Sequence, residues 1–424
     1  MGEVQLGLRI TETFRRLVAI KRLRPEYRSD AKFRRMFVDE ARLAGLIRHP
    51  NVVSVIDVGE DENGPYLVMD YIEGITTHQA LRELGSRAER LPLQVAVRIA
   101  HQVALGLTAV HELRTTEGAA LGLIHRDVSP QNVLVGFDGV ARVADFGIAK
   151  TDGSGATTTG VLKGKIGYMS PEQLRFEPPT QKSDLFALGV VLFELLSGER
   201  LYGGRDSREA AQRILSAPTP DIGALREGVP PELVELAFEL LAKDPAHRPD
   251  TAREVSLRLA DVLEESVAME GRLDLAEYLE GEFGDTSVEV RERSETMVRT
   301  WDQSRQAMVA KRRKRRRLGL AGLGVAGLGL GGVVAFALAG SPPHTAPAAS
   351  VEDAPAARVE VPVATIEEAP SQEEPSVPPA EEPAIEAPRR STRRPRRRRP
   401  RPAPSQPAPT ADRFRAIDLI RGAQ

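Results

Sequence analysis

Asp30 to Ile47 sets Phe33, Met36, Phe37, Ala41, Ala44 and Ile47 at helical spacing along one side, which predicts an amphipathic helix. Val52 to Glu60 and Tyr66 to Asp70 read instead as two strands, joined through Asn63-Gly64, a dipeptide that favours a tight hairpin turn. Beyond Asp70 the pattern turns helical. Leu93 to Glu112 is a long amphipathic stretch, and a polar insert follows over Arg114 to Ala120. Ser183 to Ser197, SDLFALGVVLFELLS, is a second apolar helix. After Leu263 the composition changes, and Ser266 to Ala310 is charged and partly helical, as expected of a linker. The basic run Lys311 to Arg317 leads directly into Leu318 to Ala339, 22 residues without a charge. At ~1.5 Å per residue that stretch spans roughly 33 Å as a helix, enough for a hydrocarbon core of ~30 Å. The remainder, 340–424, is rich in Pro, Ala and Glu, then in Arg, and lacks the apolar residues to build a core.

Four short motifs carry chemistry. Val18 to Lys21 reads VAIK; His125 to Asn132 reads HRDVSPQN; Asp145-Phe146-Gly147 reads DFG; and Ser170-Pro171-Glu172 closes the series. Either of the tripeptides alone would mean little. At these spacings and in this order they specify one active-site type, in which a carboxylate accepts a hydroxyl proton while an asparagine and a second aspartate hold metal ions against ATP phosphates.

From Leu17 to about Leu263 the chain therefore resembles the eukaryotic-like (Hanks-type) Ser/Thr protein kinases of bacteria, in particular the membrane-anchored kind. The resemblance implies an α+β bilobal fold, with a small β-rich N-lobe over 1–70 and a large helical C-lobe over 74–263. It implies ATP-dependent transfer to protein hydroxyls with Mg2+ (or Mn2+). Lys21 would contact the α and β phosphates and pair with a helix carboxylate. Glu40 and Asp39 compete for that role, and the family spacing to His49-Pro50-Asn51 favours Glu40. Asp127 would be the catalytic base, and Asn132 and Asp145 the metal ligands. Met69 would be the gatekeeper, the backbone of Asp70 and Ile72 would bond the adenine edge, and Val4, Ala19 and Leu134 would sandwich the ring. His125, Arg126 and Asp184 would hold the catalytic loop, and Glu172 would pair with Arg248, both in architectural roles.

Two departures from the family pattern stand out. Gly2 and Val4 match only the last glycine and the valine of the Gly-rich loop GxGxxGxV, so the expected N-lobe lacks its first strand. Backbone N–H groups in such a loop cradle phosphates. Either translation starts upstream of Met1, or the chain is a weak ATP binder, a membrane-anchored pseudokinase acting as a scaffold. Secondly, Ser129 stands where these kinases carry lysine, and Lys165 stands where they carry the threonine that bonds it. Lys165 is a candidate γ-phosphate contact from the other side of the exchange, or else a loop lysine beside a tolerated serine.

The activation segment, Ile148 to Met169, contains Thr157, Thr158 and Thr159. A phosphothreonine adds roughly −1.5 to −2 charge and orders loops against arginine; Arg126 is a candidate partner. The block at 311–317 directs the N-terminal side of the span to the cytoplasm, so the expected protein is single-pass in the inner membrane with its tail outside. Small residues four apart, Gly327 with Gly331 and Gly322 with Ala326, suit a helix dimer. The arginine cluster 389–401 could bind an anionic envelope polymer or lipid headgroup. Nucleic acid is not expected, since neither Arg-rich run is interleaved with aromatics. The net charge of −2 averages these blocks, and the absence of cysteine excludes disulfides and thiol chemistry.

Overall fold

The computed structural model describes residues 2–10, 15–146, 166–203, 206–301 and 303. Thr157 to Thr159, Lys165, the basic block, the span 318–339 with Gly327 and Gly331, and the tail lie outside the described residues.

The small lobe is built on an antiparallel sheet of β1 (Gly2–Ile10), β2 (Arg15–Leu23), β3 (Val55–Asp61) and β4 (Gly64–Asp70), in the order β1-β2-β4-β3. Strand periodicity sorts β2 into two faces. Val18 and Ile20 bury against Val68 on one. Ala19 and Lys21 lie on the other, where Leu67 and Met69 meet Phe37 and Ala41 of α1 (Ala31–Ala44). That alternation aims the Lys21 side chain at α1. Asp30 caps α1, its carboxylate accepting from the amides of Lys32 and Phe33 at 2.8 and 3.4 Å.

The strand expected at Val52 begins at Val55. The reason is a competing use of the backbone: Val53 N–H donates to the Val143 carbonyl at 3.0 Å, and Val143 N–H to the Asn51 carbonyl at 2.9 Å. Residues 51–53 thus pair with the large lobe. Gly106 permits the approach, since a Cβ there would lie 2.5 Å from the Asn51 carbonyl oxygen. The hairpin loop is Glu62–Asn63, and Gly64, at φ +95°, opens β4 two residues before the expected Tyr66.

The large lobe contains β5 (Gly74–Thr76), β6 (Val133–Gly136) and β7 (Ala141–Val143) in one small sheet, with α2 (Thr77–Ser86) and α3 (Leu93–His111). The segment after the activation loop forms α4 (Pro171–Leu174), α5 (Gln181–Ser197), α6 (Ser207–Ser216), α7 (Ile222–Leu225), α8 (Pro231–Leu240) and α9 (Ala252–Glu270). α5 is buried all round, which explains why it carries no amphipathic stripe. α3 is, among the described residues, the one helix long and apolar enough to cross a bilayer, and it is a core helix of this lobe. The insert at 114–120 is a small hairpin closed by an Arg114–Ala120 bridge.

The C-terminal boundary differs from the expected one. Leu263 falls inside α9. α10 (Leu275–Glu282) and α11 (residues 284–301) follow, and Leu275, Leu279 and Phe283 bury in the large-lobe core. Residues 264–301, expected as linker, therefore pack on the lobe. Their few apolar side chains sit among many charges, and the sequence does not reveal the surface that receives them.

One buried ion pair clamps the large lobe. Arg248 donates to both Glu172 oxygens, at 2.8 and 2.9 Å, and Ser183 Oγ donates to Oε1 at 2.6 Å. Burial works against the Glu172 charge, but these hydrogen bonds outweigh it and bring its pKa down from 4.5 to about 2. A carboxylate lowered in this way contributes its full stability above pH ~4.5 and loses it as pH falls toward ~2. Arg248→Met should destabilise the fold by about 3–5 kcal/mol at neutral pH, because it strands a buried charge. The gap between parent and variant should narrow as pH is lowered through that window. Thermal melts at a series of pH values measure both; a gap that stays constant would refute the role of the Glu172 charge.

Candidate active site

Lys21, delivered by β2, lies 3.2 Å from Glu40 Oε1 of α1 and 3.1 Å from Asp145 Oδ1. Burial works against the Lys21 charge, yet the Asp145 and Glu40 carboxylates together hold its ammonium above the ordinary lysine range. Asp39, the competing carboxylate, points to solvent and pairs with Arg42 at 3.6 Å. The choice follows from helical phase: Glu40 shares the buried face with Phe37, Ala41 and Ala44.

Asn132 Nδ2 donates to Asp127 Oδ2 at 2.9 Å and to the Asp127 carbonyl at 2.8 Å. The amide nitrogen is thereby engaged with Asp127, and Oδ1 is the remaining acceptor of Asn132. Asn132 Oδ1 and the Asp145 carboxylate are hard oxygen donors, and no cluster of three or more His, Asp or Glu among the described residues offers a complete metal cage. Such a sparse set fits magnesium, which keeps waters and takes the rest of its shell from substrate phosphates.

The loop bearing Asp127 is held from beneath. Asp184, at the head of α5, accepts from the His125 amide at 2.7 Å and the Arg126 amide at 2.8 Å. His125 is fully buried, accepts from the Asp127 amide at 3.3 Å through Nδ1, and packs on Phe146 with ring centroids 4.7 Å apart. Burial lowers its pKa and keeps it neutral. Arg126 and Asp145 have φ of +67° and +57°. Non-glycine residues in that region carry strain of order 1–3 kcal/mol, which the surrounding contacts must hold.

The apolar wall of the cleft comes from both lobes. Val4 pairs with Lys21 across β1 and β2 and is 40% exposed. Ala19, Ile72 and Leu134 are half-buried around Met69, itself buried in the small-lobe core. The Asp70 amide is used by the Ser54 carbonyl at 3.0 Å, whereas the Ile72 amide makes no hydrogen bond among the described residues. Gly2 lies against the Lys21 stem, where a Cβ would sit 2.8 Å from Lys21 Cε. A flat ring with a hydrogen-bonding edge suits such a slot.

Two supporting residues, His111 and Glu194, were not anticipated, and Ser129 takes a setting that the sequence did not reveal. His111 Nε2, at the end of α3, lies 2.8 Å from Asp184 Oδ2. Ser129 is 1% exposed, and its hydroxyl has no partner among the described residues. Glu194 of α5 accepts from Tyr168 Oη at 2.8 Å and from the Leu201 amide at 3.3 Å, and burial pushes its pKa up to about 7. Glu194 stands in an otherwise apolar stretch of α5, and that setting was the only signal for it, whereas His111 ends a helix that also carries other polar residues and gave none.

The protein kinase domain matches residues 1–257, more than half of the chain. The tyrosine-protein kinase MasK of Myxococcus xanthus is 35% identical over 300 residues, 70% of this chain and 46% of its own length. The serine/threonine-protein kinase PrkC of Bacillus subtilis is 35% identical over 263 residues, 62% of this chain and 39% of its own. The crystal structure of the Mycobacterium tuberculosis PknI kinase domain is 28% identical, covers 62% of this chain and 91% of its own, and superposes with a TM-score of 0.46. The chain thus spans less than half the length of the two curated relatives. With Lys21, Glu40, Asp127, Asn132 and Asp145 arranged around one cleft, the chain belongs to the protein kinase domain family.

Proposed function

We propose that the chain is a protein serine/threonine kinase that transfers the ATP γ-phosphate to protein hydroxyls. One observation carries this reading: Lys21 is held jointly by Glu40 and Asp145, in the same cleft as the coupled Asp127–Asn132 pair. Val4, Ala19 and Leu134 sandwich the adenine, and the Ile72 amide donates to its edge beside the Asp70 backbone. Lys21 engages the α and β phosphates. Asn132 and Asp145 would hold magnesium (or manganese), which would supply positive charge to offset the negative charge of the phosphates. Asp127, oriented by Asn132 Nδ2, accepts the proton of the incoming hydroxyl. The alternative is a membrane-anchored scaffold with impaired ATP binding, suggested by the partial match of Gly2 and Val4 to the Gly-rich loop.

Phosphorylation within Thr157 to Thr159 is the proposed activating step. Its support is Arg126, whose buried Nε has no hydrogen-bond partner among the described residues and is suited to an anion. Lys165 is proposed to approach the γ-phosphate in place of the lysine absent at 129. The unpartnered Ser129 hydroxyl supports the exchange, because it could accept from that ammonium as the family's threonine accepts from its lysine. The same exchange removes a marker of serine/threonine preference, so a tyrosine-accepting site is a second reading, and the relative MasK bears that name. The wider assignment is a single-pass inner-membrane kinase. It rests on the basic block and uncharged span: kinase domain cytoplasmic, tail outside, the span open to dimerisation, and the arginine cluster open to an anionic polymer or lipid.

Asp127→Asn should keep nucleotide binding and lower transfer by about 10²–10⁴, whereas Asp145→Asn should lose metal-dependent nucleotide binding. Radiolabelled phosphate transfer and calorimetry separate these. Transfer by Asp127→Asn at the parental rate would remove the base assignment, and absence of transfer in the parent would favour the scaffold. Phosphoamino-acid analysis of the product decides between serine/threonine and tyrosine.

Lys165→Ala should lose most of the turnover, and Ser129→Lys with Lys165→Thr should recover it. Parental turnover by Lys165→Ala would make Lys165 an ordinary loop residue.

A further inference from the structure

The segment after the kinase domain does not leave the molecule where α9 ends. Gln94 of α3, 4% exposed, grips the turn that follows. Its side-chain amide donates to the Gly271 carbonyl at 2.9 Å, and its oxygen accepts from the Leu273 amide at 3.2 Å. Asp274 then caps α10, accepting from the Ala276 and Glu277 amides at 2.8 and 3.2 Å. Arg87 pairs with Glu282 at 2.5 Å. These contacts direct the chain into α11.

The continuously described part of α11 is 18 residues, 284–301, or about 27 Å at ~1.5 Å per residue. Phe283, Ser287, Val290, Ser294, Met297, Val298 and Trp301 are buried or half-buried, at spacings of three and four, while 291–293, 295, 296, 299 and 300 are exposed. One face is therefore docked along its whole length. At the start, Phe283 is in the large-lobe core. Midway, Ser294 Oγ donates to the Val290 carbonyl at 2.9 Å and lies 3.2 Å from the hydroxyl of Tyr71. A hydroxyl has one proton, so Tyr71 is the donor in that second contact. Tyr71 sits between Asp70 and Ile72, the two backbone positions of the adenine edge. At the far end, the Trp301 ring lies under the Arg15 guanidinium at 4.8 Å, and Arg15 opens β2, the strand of Lys21.

We propose that α11 is a strap across the hinge, and that Tyr71, Ser294, Arg15 and Trp301 are positioning residues for ATP. The strap is anchored in one lobe, bonded to the hinge and stacked on the other lobe. Any change in the angle between lobes must stretch or shift these contacts. Nine residues separate Trp301 from the basic block at Lys311, so the membrane-proximal segment enters the catalytic unit through the hinge. For its nucleotide this inference rests on the kinase reading above.

Trp301 is the only tryptophan in the chain, so tryptophan emission of the full-length protein, excited beyond tyrosine absorption, reports on the surroundings of this one side chain. Titration with Mg-ADP should shift that emission saturably. Trp301→Ala and Arg15→Gln should each raise the KM for ATP about 3–10-fold with a smaller change in kcat. Trp301→Phe, which keeps a ring face for Arg15, should stay near the parent. Without nucleotide, amide hydrogen exchange across 15–23 and 67–72 should quicken in Trp301→Ala and in Arg15→Gln, whose exposed site tolerates exchange of side chains. Parental exchange rates in both variants would overturn the strap, as would unmoved emission in protein shown by calorimetry to bind Mg-ADP. If calorimetry detects no Mg-ADP binding by the parent, the kinase reading fails, and the exchange experiment still decides the strap.

Discussion

Much of the active site hangs on one buried carboxylate. Asp184 is 2% exposed and accepts from two consecutive backbone amides, His125 and Arg126, and from His111. An ionised acid inside a core persists only when its lone pairs are taken up. Here the donors are the backbone of the loop that presents Asp127. The strained φ of Arg126 is held by this bond, and the orientation of Asp127 toward Asn132 follows from it. α5, the helix that carries Asp184, is apolar on every side and packs within the core, so the anchor point itself is stiff.

A second constraint governs the small lobe. Lys21 is nearly surrounded by protein and remains charged because Glu40 and Asp145 both approach within 3.2 Å. These three residues come from β2, from α1 and from the segment after β7. Their meeting therefore fixes the helix, the sheet and the large-lobe loop against one another. Residues 51–53 reinforce the joint by pairing with Val143, and α11 adds a third connection behind the hinge. The cleft is bordered by lobes joined at several places.

What could be read before folding was chemistry tied to local order. The runs HRDVSPQN and DFG name their roles because the reacting groups must stand at set intervals along a loop, and Glu40 could be chosen over Asp39 by spacing. Periodicity located α3 and α5 within a residue or two and α1 within three, since each buries a face or its whole surface. β3 was placed three residues early because Val52 and Val53 are as apolar as any strand, while the Asn51 carbonyl and the Val53 amide on either side of Val52 bond Val143 of β7 instead.

The amino-acid sequence by itself determined the candidate catalytic set, the order of elements and the abrupt change of composition after the kinase domain. Only the tertiary structure decided that His111 supports Asp184 across 73 residues, that Ser129 is buried with no hydroxyl partner among the described residues, and that residues 275–301 return to the hinge. The physical reason is common to all three. A motif records which groups react, and a period records which face is buried. Neither records the partner, because contacts such as Ser294 with Tyr71 are set by how whole elements pack, far apart along the chain.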